Sequence, residues 1–209
     1  MSTGKRLTVI SGAILCSFGL MIFSFFIHYK FPVRLISFAG LLISAFVIAA
    51  NLRSLSDLKK FFSIKTTLPY YSFGITTGIV LAFLYRWHLD ESFFPKSVYP
   101  FVIVAALIGG IEELVFRGFL QEYVKKINGP FSVIFSTLSH TGYKCFLFLS
   151  PAIQADIDVG FLALWTFGAG LLLGTIRYLS KSILPSLSAH VLFDIIVYAE
   201  FSSAPWWVW

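Results

Sequence analysis

The sequence has little charge. Of its 209 residues, 12% are Asp, Glu, Lys or Arg, whereas 57% are hydrophobic and the mean hydropathy is +0.84. Average globular domains carry about a quarter charged residues, so there is too little polar surface here to coat a water-soluble particle. The composition therefore excludes an ordinary soluble domain and predicts a protein whose solvent is lipid.

Cysteine and concentrated basic sequence are also scarce. Cys16 and Cys145, the only cysteines, lie far apart in apolar runs and form neither a C-x-x-C pair nor a disulfide framework. We interpret both as packing thiols. The formal net charge is +6, but no basic arm with interleaved aromatics is present. Basic residues on cytoplasmic loops explain that charge, and we predict no nucleic-acid partner.

Seven apolar segments are long enough, at about 17 residues or more, to cross a bilayer. The first follows Lys5 and Arg6 as a signal peptide would, but it is about twice the usual length of such an apolar core and lacks an A-x-A cleavage site. We predict that it is retained. The fold class is all-α, a polytopic helical membrane protein with about seven transmembrane helices over 7–28, 33–50, 69–85, 99–121, 131–149, 159–179 and 183–201.

The basic residues divide unevenly between the two sides of these spans. Ten Lys and Arg fall on the side of the amino terminus and five on the other, which predicts a cytoplasmic amino terminus. The connection 51–68 has spaced basic and apolar residues, typical of an interfacial amphipathic helix. An odd number of spans leaves the Trp-rich tail 202–209 on the outer side as an anchor.

The ionisable residues inside spans are concentrated in the last four. Each charge there costs at least about 2.5 to 3.5 kcal/mol, so a set of them predicts either function or an ion-paired network that only pins helices together. We favour function because their chemistry is complementary. The six are Glu112, Glu113, Arg117, His140, His190 and Asp194.

Helical spacing predicts how these six side chains group. Residues four apart share a face, so Glu113 can pair with Arg117, and His190 lies over Asp194. Glu112 points about 100° away from Glu113 and can face another helix. Counted at 1.5 Å per residue from the cytoplasmic edge, Glu112, His140 and His190 lie at roughly 20, 18 and 14 Å. A carboxylate and two imidazoles at one depth can activate water, which indicates hydrolysis.

Three motifs in order carry a family resemblance. The stretch from Glu112 to Gly118 reads E-E-x-x-x-R-G, His140 follows on the next span, and the last span carries H-x-x-x-D from His190 to Asp194 after a glycine-bearing segment. This pattern resembles the CPBP (Abi) family of intramembrane proteases, which are related to the type II CAAX prenyl endopeptidases. Ser136 stands where the middle F-x-x-x-H motif usually has Phe, and Asp194 replaces the commoner Asn.

The resemblance implies a four-helix catalytic core and a role for each residue. In that core Glu112 and His140 activate the attacking water, Glu113 and Arg117 support the glutamate, and His190 with Asp194 stabilises the oxyanion. Amino-terminal membrane helices and the basic cytoplasmic loop fill 1–98, the core fills 99–201 and the tail follows over 202–209. The expected substrate is a membrane-associated peptide: prenylated, CAAX-like or a leader segment.

A zinc-dependent version of the same protease is the first alternative. Glu112, His140 and His190 with an open water position form a zinc set. We favour a metal-free mechanism without a cofactor because the H-E-x-x-H helix of common zinc proteases is absent.

Three further interpretations stay open. Buried Glu and His also mark proton-coupled transporters, although no internal repeat is visible. A non-catalytic immunity or scaffold protein would keep the fold and do no chemistry. A serine site near His140 is disfavoured because no G-x-S-x-G elbow occurs. The G-x-x-x-G pairs at 74–78 and 170–174 predict close helix packing, within the chain or in a homo-oligomer.

Overall fold

The computed structural model describes residues 2–52, 68–153 and 157–203. Helix accounts for 78% of them, and none of them is in a strand. The elements are α1 (Thr3–Phe26), α2 (Leu35–Leu52), α3 (Leu68–His88), α4 (Phe101–Glu113), a π-helical segment (Leu114–Leu120), α5 (Gln121–Lys125), α6 (Gly129–Phe148), α7 (Val159–Ser180) and α8 (Leu184–Val197).

Each of the seven apolar segments predicted from the sequence contains a helix at nearly the predicted place. Among the described residues, α1, α3 and α7 are long and apolar enough to cross a membrane, and α2 and α8 are shorter apolar helices. The all-helical class is confirmed, while the count of seven spans stays a prediction. The connection predicted as an amphipathic helix and the end of the Trp-rich tail, residues 53–67 and 204–209, lie outside the described residues.

Large apolar side chains cover the outside of the helices. Leu42, Phe46 and Leu164 each have about 70% of their surface exposed (69%, 72% and 73%), whereas Glu113 and Arg117 are fully buried. A water-soluble protein has the opposite distribution. Apolar side chains outside and ionisable groups inside fit a protein solvated by lipid.

The chain forms two compact units. The first comprises residues 1–56 and 119–171, and the second comprises residues 57–118 and 172–209. The first therefore holds α1, α2, α5 and α6, and the second holds α3, α4 and α8. The sequence predicted another division, in which residues 1–98 and 99–201 each form one continuous part. That division stays a prediction.

In the first unit α1 packs on both α2 and α6. Ser17 and Ser139 share a hydrogen bond of 2.9 Å between their hydroxyl oxygens, which links α1 to α6. The Ser44 hydroxyl of α2 donates to the Cys16 carbonyl at 3.0 Å. Both cysteines are free and buried, as predicted for packing thiols. α1 thus holds the helix that carries His140.

In the second unit α8 packs against α3 and α4. A Cβ on Gly74 would overlap with the backbone of Pro185, and one on Gly78 would lie 2.8 Å from the Ala189 Cα. The first G-x-x-x-G pair therefore brings two backbones together within the chain, which confirms one of the two roles predicted for it. A homo-oligomer through the second pair stays a prediction.

We expect Gly78→Ala to destabilise the protein. The added methyl group meets the Ala189 backbone, which cannot rotate away as a side chain can, and such overpacking costs about 1 to 3 kcal/mol. The midpoint of thermal unfolding in detergent should fall by about 2 °C or more. Gly168→Ala is the control, because a Cβ at Gly168 meets nothing within 4 Å. An equal fall in both variants would contradict the proposed contact.

Arg86 links the carboxyl-terminal ends of α3 and α8 in the second unit. This fully buried residue in the last turn of α3 pairs with Glu91 at 3.0 Å and with Glu200. Its guanidinium also donates to the Ser92 carbonyl at 2.6 Å and to the Ile196 carbonyl at 3.2 Å. The end of α8 and the loop after α3 are thereby tied to one cation. The third predicted span, 69–85, ends just before Arg86, and this role was not predicted from the sequence.

We expect Arg86→Met to lower the stability of the protein. Hydrogen bonds to a charged group contribute about 1.5 to 3 kcal/mol, so the thermal midpoint should fall by at least about 3 °C. Arg34→Met is the matched control, since Arg34 is exposed and donates from Nε to the Tyr29 carbonyl. Equal midpoints for Arg86→Met and the wild type would show that the Arg86 contacts do not stabilise the fold.

Candidate active site

Two carboxylates stand at the point where α4 becomes π-helical. Glu112 and Glu113 are the last residues of α4, and Arg117 lies inside the π-helical segment that follows. Segments with i to i+5 hydrogen bonding are rare and occur frequently at functional sites. The two carboxylates and Arg117 are all buried.

Glu113 connects two helices. Its Oε1 lies 3.2 Å from Arg117 Nη1 and accepts a hydrogen bond of 3.1 Å from His190 Nδ1 on α8. An ionised carboxylate only accepts hydrogen bonds, so the proton of this bond belongs to Nδ1. The pairing with Arg117, predicted from the four-residue spacing, is confirmed. The pairing with His190 joins residues 77 positions apart and was not predicted.

The other nitrogen of His190 faces two more carboxylates. His190 Nε2 lies 3.9 Å from Glu112 Oε2 and 3.8 Å from Asp194 Oδ2. These separations exceed a direct hydrogen bond, but a single water about 2.8 Å from each atom could bridge either pair. Glu112 and His190 are therefore within reach of one another through one water, as the sequence predicted. His190 and Asp194 share a face of α8.

His140 belongs to the first unit. It is buried on α6, and its ring stacks on Tyr143 with the centroids 6.5 Å apart. Its neighbour Ser139 is the residue that bonds to Ser17 on α1. The predicted convergence of His140 with Glu112 and His190 stays a prediction.

The resemblance implied that Glu113 and Arg117 support Glu112. In the structure Glu113 also orients His190. It pairs with Nδ1 of the ring, and Nε2 then faces Glu112 and Asp194. The sequence reasoning also missed Gly109, where a Cβ would overlap with the Asp194 carboxylate. The spacing could have indicated this glycine from the sequence, because Gly109, Glu113 and Arg117 follow one another at intervals of four residues and share one face of the helix.

A zinc ion is the alternative that the sequence left open for this site. Within the described ranges, no group of three or more His, Cys, Asp or Glu side chains has an arrangement that could hold a metal ion. The set named from the sequence, Glu112, His140 and His190, draws residues from both units. We therefore derive no step through a metal.

The helices and the cluster together define a class. The chain is a helical membrane protein with buried carboxylates, an arginine and a histidine gathered inside one helical unit. The model of the family described as type II CAAX prenyl endopeptidase Rce1-like matches residues 94–196. This segment contains all six predicted site residues, so the resemblance seen in the motifs is confirmed over 94–196. No curated protein and no solved structure matched the chain.

Proposed function

We propose that this protein is an intramembrane endopeptidase in which Glu112 activates a water molecule for attack on a peptide bond. The observation that carries the proposal is the cluster around His190, in which Glu112 and Asp194 face Nε2 while Glu113 holds Nδ1. The match of residues 94–196 to a family of endopeptidases supports the reaction class.

In the first step the Glu112 carboxylate accepts a proton from the water, and the oxygen attacks the carbonyl carbon of the scissile bond. Burial of the carboxylate away from bulk solvent favours transfer to and from a positioned water. The same proton then passes from Glu112 to the leaving amine when the C–N bond breaks. Protons balance, and the enzyme returns to its starting state.

His190 has the second role, which is to stabilise the oxyanion. A doubly protonated ring would donate from Nδ1 to Glu113 and from Nε2 to the oxyanion of the tetrahedral intermediate. Groups fixed in advance toward a developing charge are effective because they need no reorganisation during the reaction. Arg117 and Glu113 fix the ring through the 3.2 and 3.1 Å contacts. His140 joins Glu112 in activating the water according to the resemblance.

The family match and the location in the membrane support a substrate class. We propose a membrane-associated peptide, either prenylated with a CAAX-like end or a leader segment, cut near the cytoplasmic half of the bilayer. The excess of basic residues on the amino-terminal side supports that orientation.

A reporter assay tests the proposal. The full chain in liposomes is given an internally quenched, farnesylated peptide with a CAAX end, and a quenched leader peptide is offered in parallel. We expect cleavage of at least one, at unchanged rate in Cys16→Ala and after exhaustive treatment with a zinc chelator. Loss on chelation with recovery on zinc would overturn the metal-free mechanism. Cleavage of neither peptide, with proton uptake into the liposomes, would favour the transporter.

A further inference from the structure

Gly109 lies in α4 about one turn before Glu113, against the part of α8 that carries the cluster. A Cβ on Gly109 would overlap with Asp194 Oδ2 and would lie 3.0 Å from Asp194 Cγ and 3.2 Å from His190 Cδ2. The neighbouring residue differs sharply, because a Cβ on Gly110 would meet only Val191, at 3.8 Å. The carboxylate of Asp194 therefore occupies space that only glycine leaves open.

The contacts of Gly109 differ in kind from those of the other glycines beside α8. Gly74 and Gly78 of α3 meet the backbone of Pro185 and Ala189. Gly109 meets side-chain atoms, and both side chains belong to the cluster. If Gly109 served only helix packing, it would not need to contact the side chains of Asp194 and His190 in particular.

α8 has little freedom to retreat from a side chain at position 109. On the α3 side its backbone already touches Gly78. Near its carboxyl end, Arg86 holds the Ile196 carbonyl at 3.2 Å. Because the backbone is held at both places, an added methyl group would displace the Asp194 carboxylate and the His190 ring rather than the helix.

We infer that Gly109 is a positioning residue of the cluster: it admits the Asp194 carboxylate beside α4 and so sets the 3.8 Å separation between Asp194 Oδ2 and His190 Nε2. The catalytic consequence rests on the proposed function, whereas the placement of the two side chains does not. Gly109 is assigned no chemical step, because it has no side chain that could take part in one.

The first test reads the position of His190 without any substrate. The chain has four histidines, so ¹⁵N-histidine labelling of the full chain in detergent gives few imidazole signals, and His190→Gln assigns the one of interest. Gly109→Ala should shift the His190 signals and leave those of His28 and His88, which lie outside the proposed site, in place. Gly110→Ala is the matched control and should shift none. Unchanged His190 signals in Gly109→Ala, or equal shifts in both variants, would overturn the inference.

The second test uses coupling to Asp194. If the methyl group acts by displacing the carboxylate, then removing the carboxylate should remove the effect, and Gly109→Ala added to Asp194→Ala should leave the thermal midpoint of Asp194→Ala nearly unchanged. Additive losses would overturn the inference. Should Gly109→Ala fail to fold, a folded Gly109→Ala/Asp194→Ala protein would support the inference, and a double variant that also fails would contradict it.

The third test separates this inference from the proposed function. If the wild type cleaves a reporter peptide, Gly109→Ala should lower kcat by about 10- to 100-fold, as small misplacements of reacting groups do, with KM within about twofold. Gly110→Ala should stay within about twofold of the wild type for both constants. A wild type without activity, combined with the predicted His190 shifts, would refute the function and leave the positioning role of Gly109 intact.

Discussion

Glu112→Gln should lower cleavage of the reporter peptide by at least about 10³-fold, because an amide cannot take the proton of the attacking water. The substitution keeps the size and shape of the side chain, so the thermal midpoint should change little. The measurement is the initial rate in liposomes at equal amounts of folded protein, with the midpoint in detergent as the check on folding.

Glu122→Gln is the matched control for this loss. Glu122 is a glutamate of α5 that pairs with Lys125 at 3.2 Å, with both side chains about one-third exposed. Its substitution should leave the rate within about twofold, since exposed pairs contribute little. Retained turnover in Glu112→Gln would remove the central role proposed for Glu112. If the protein has a biological role that Glu112→Gln still performs, a non-catalytic scaffold becomes the better interpretation.

Glu113→Ala should damage both stability and rate. It removes the carboxylate from the buried guanidinium of Arg117, and breaking a buried pair costs about 3 to 5 kcal/mol. The thermal midpoint should therefore fall by at least about 6 °C. The rate should fall even at temperatures where the variant is folded, because His190 loses the partner of its Nδ1.

A double variant separates the two effects. Glu113→Leu with Arg117→Met replaces the ion pair with apolar side chains of similar volume, which is often neutral for stability. We expect the midpoint to return toward that of the wild type while cleavage stays low, because neither leucine nor methionine can accept the Nδ1 proton. Recovery of cleavage together with stability would show that Glu113 has only a structural role.

Contacts within one helix could be predicted from the sequence. The four-residue spacing was sufficient for the pair of Glu113 with Arg117 and for the shared face of His190 and Asp194, since the helical repeat alone determines both. Apolar length likewise located every described helix except the short α5, because a span has a minimum length that few other patterns reach.

Contacts between helices could not be predicted in this way. The bond from His190 to Glu113 and the ion pair from Arg86 to Glu200 join residues 77 and 114 positions apart. Such pairs depend on the rotation and depth of two helices, which the glycines of α3 set through contact with the α8 backbone. The periodicity of apolar residues determines which face of each helix is buried. It does not determine which other helix that face contacts.

The packing of α1 and α3 limits how the family segment can be transplanted. Residues 94–196 include α6 and α8 but exclude the helices that supply Ser17 and Gly78. A chimera that grafts only this segment onto another membrane protein would uncover Ser139 on α6 and the Ala189 backbone on α8. The smallest portable part of this chain that could carry the proposed activity therefore includes its first and third helices.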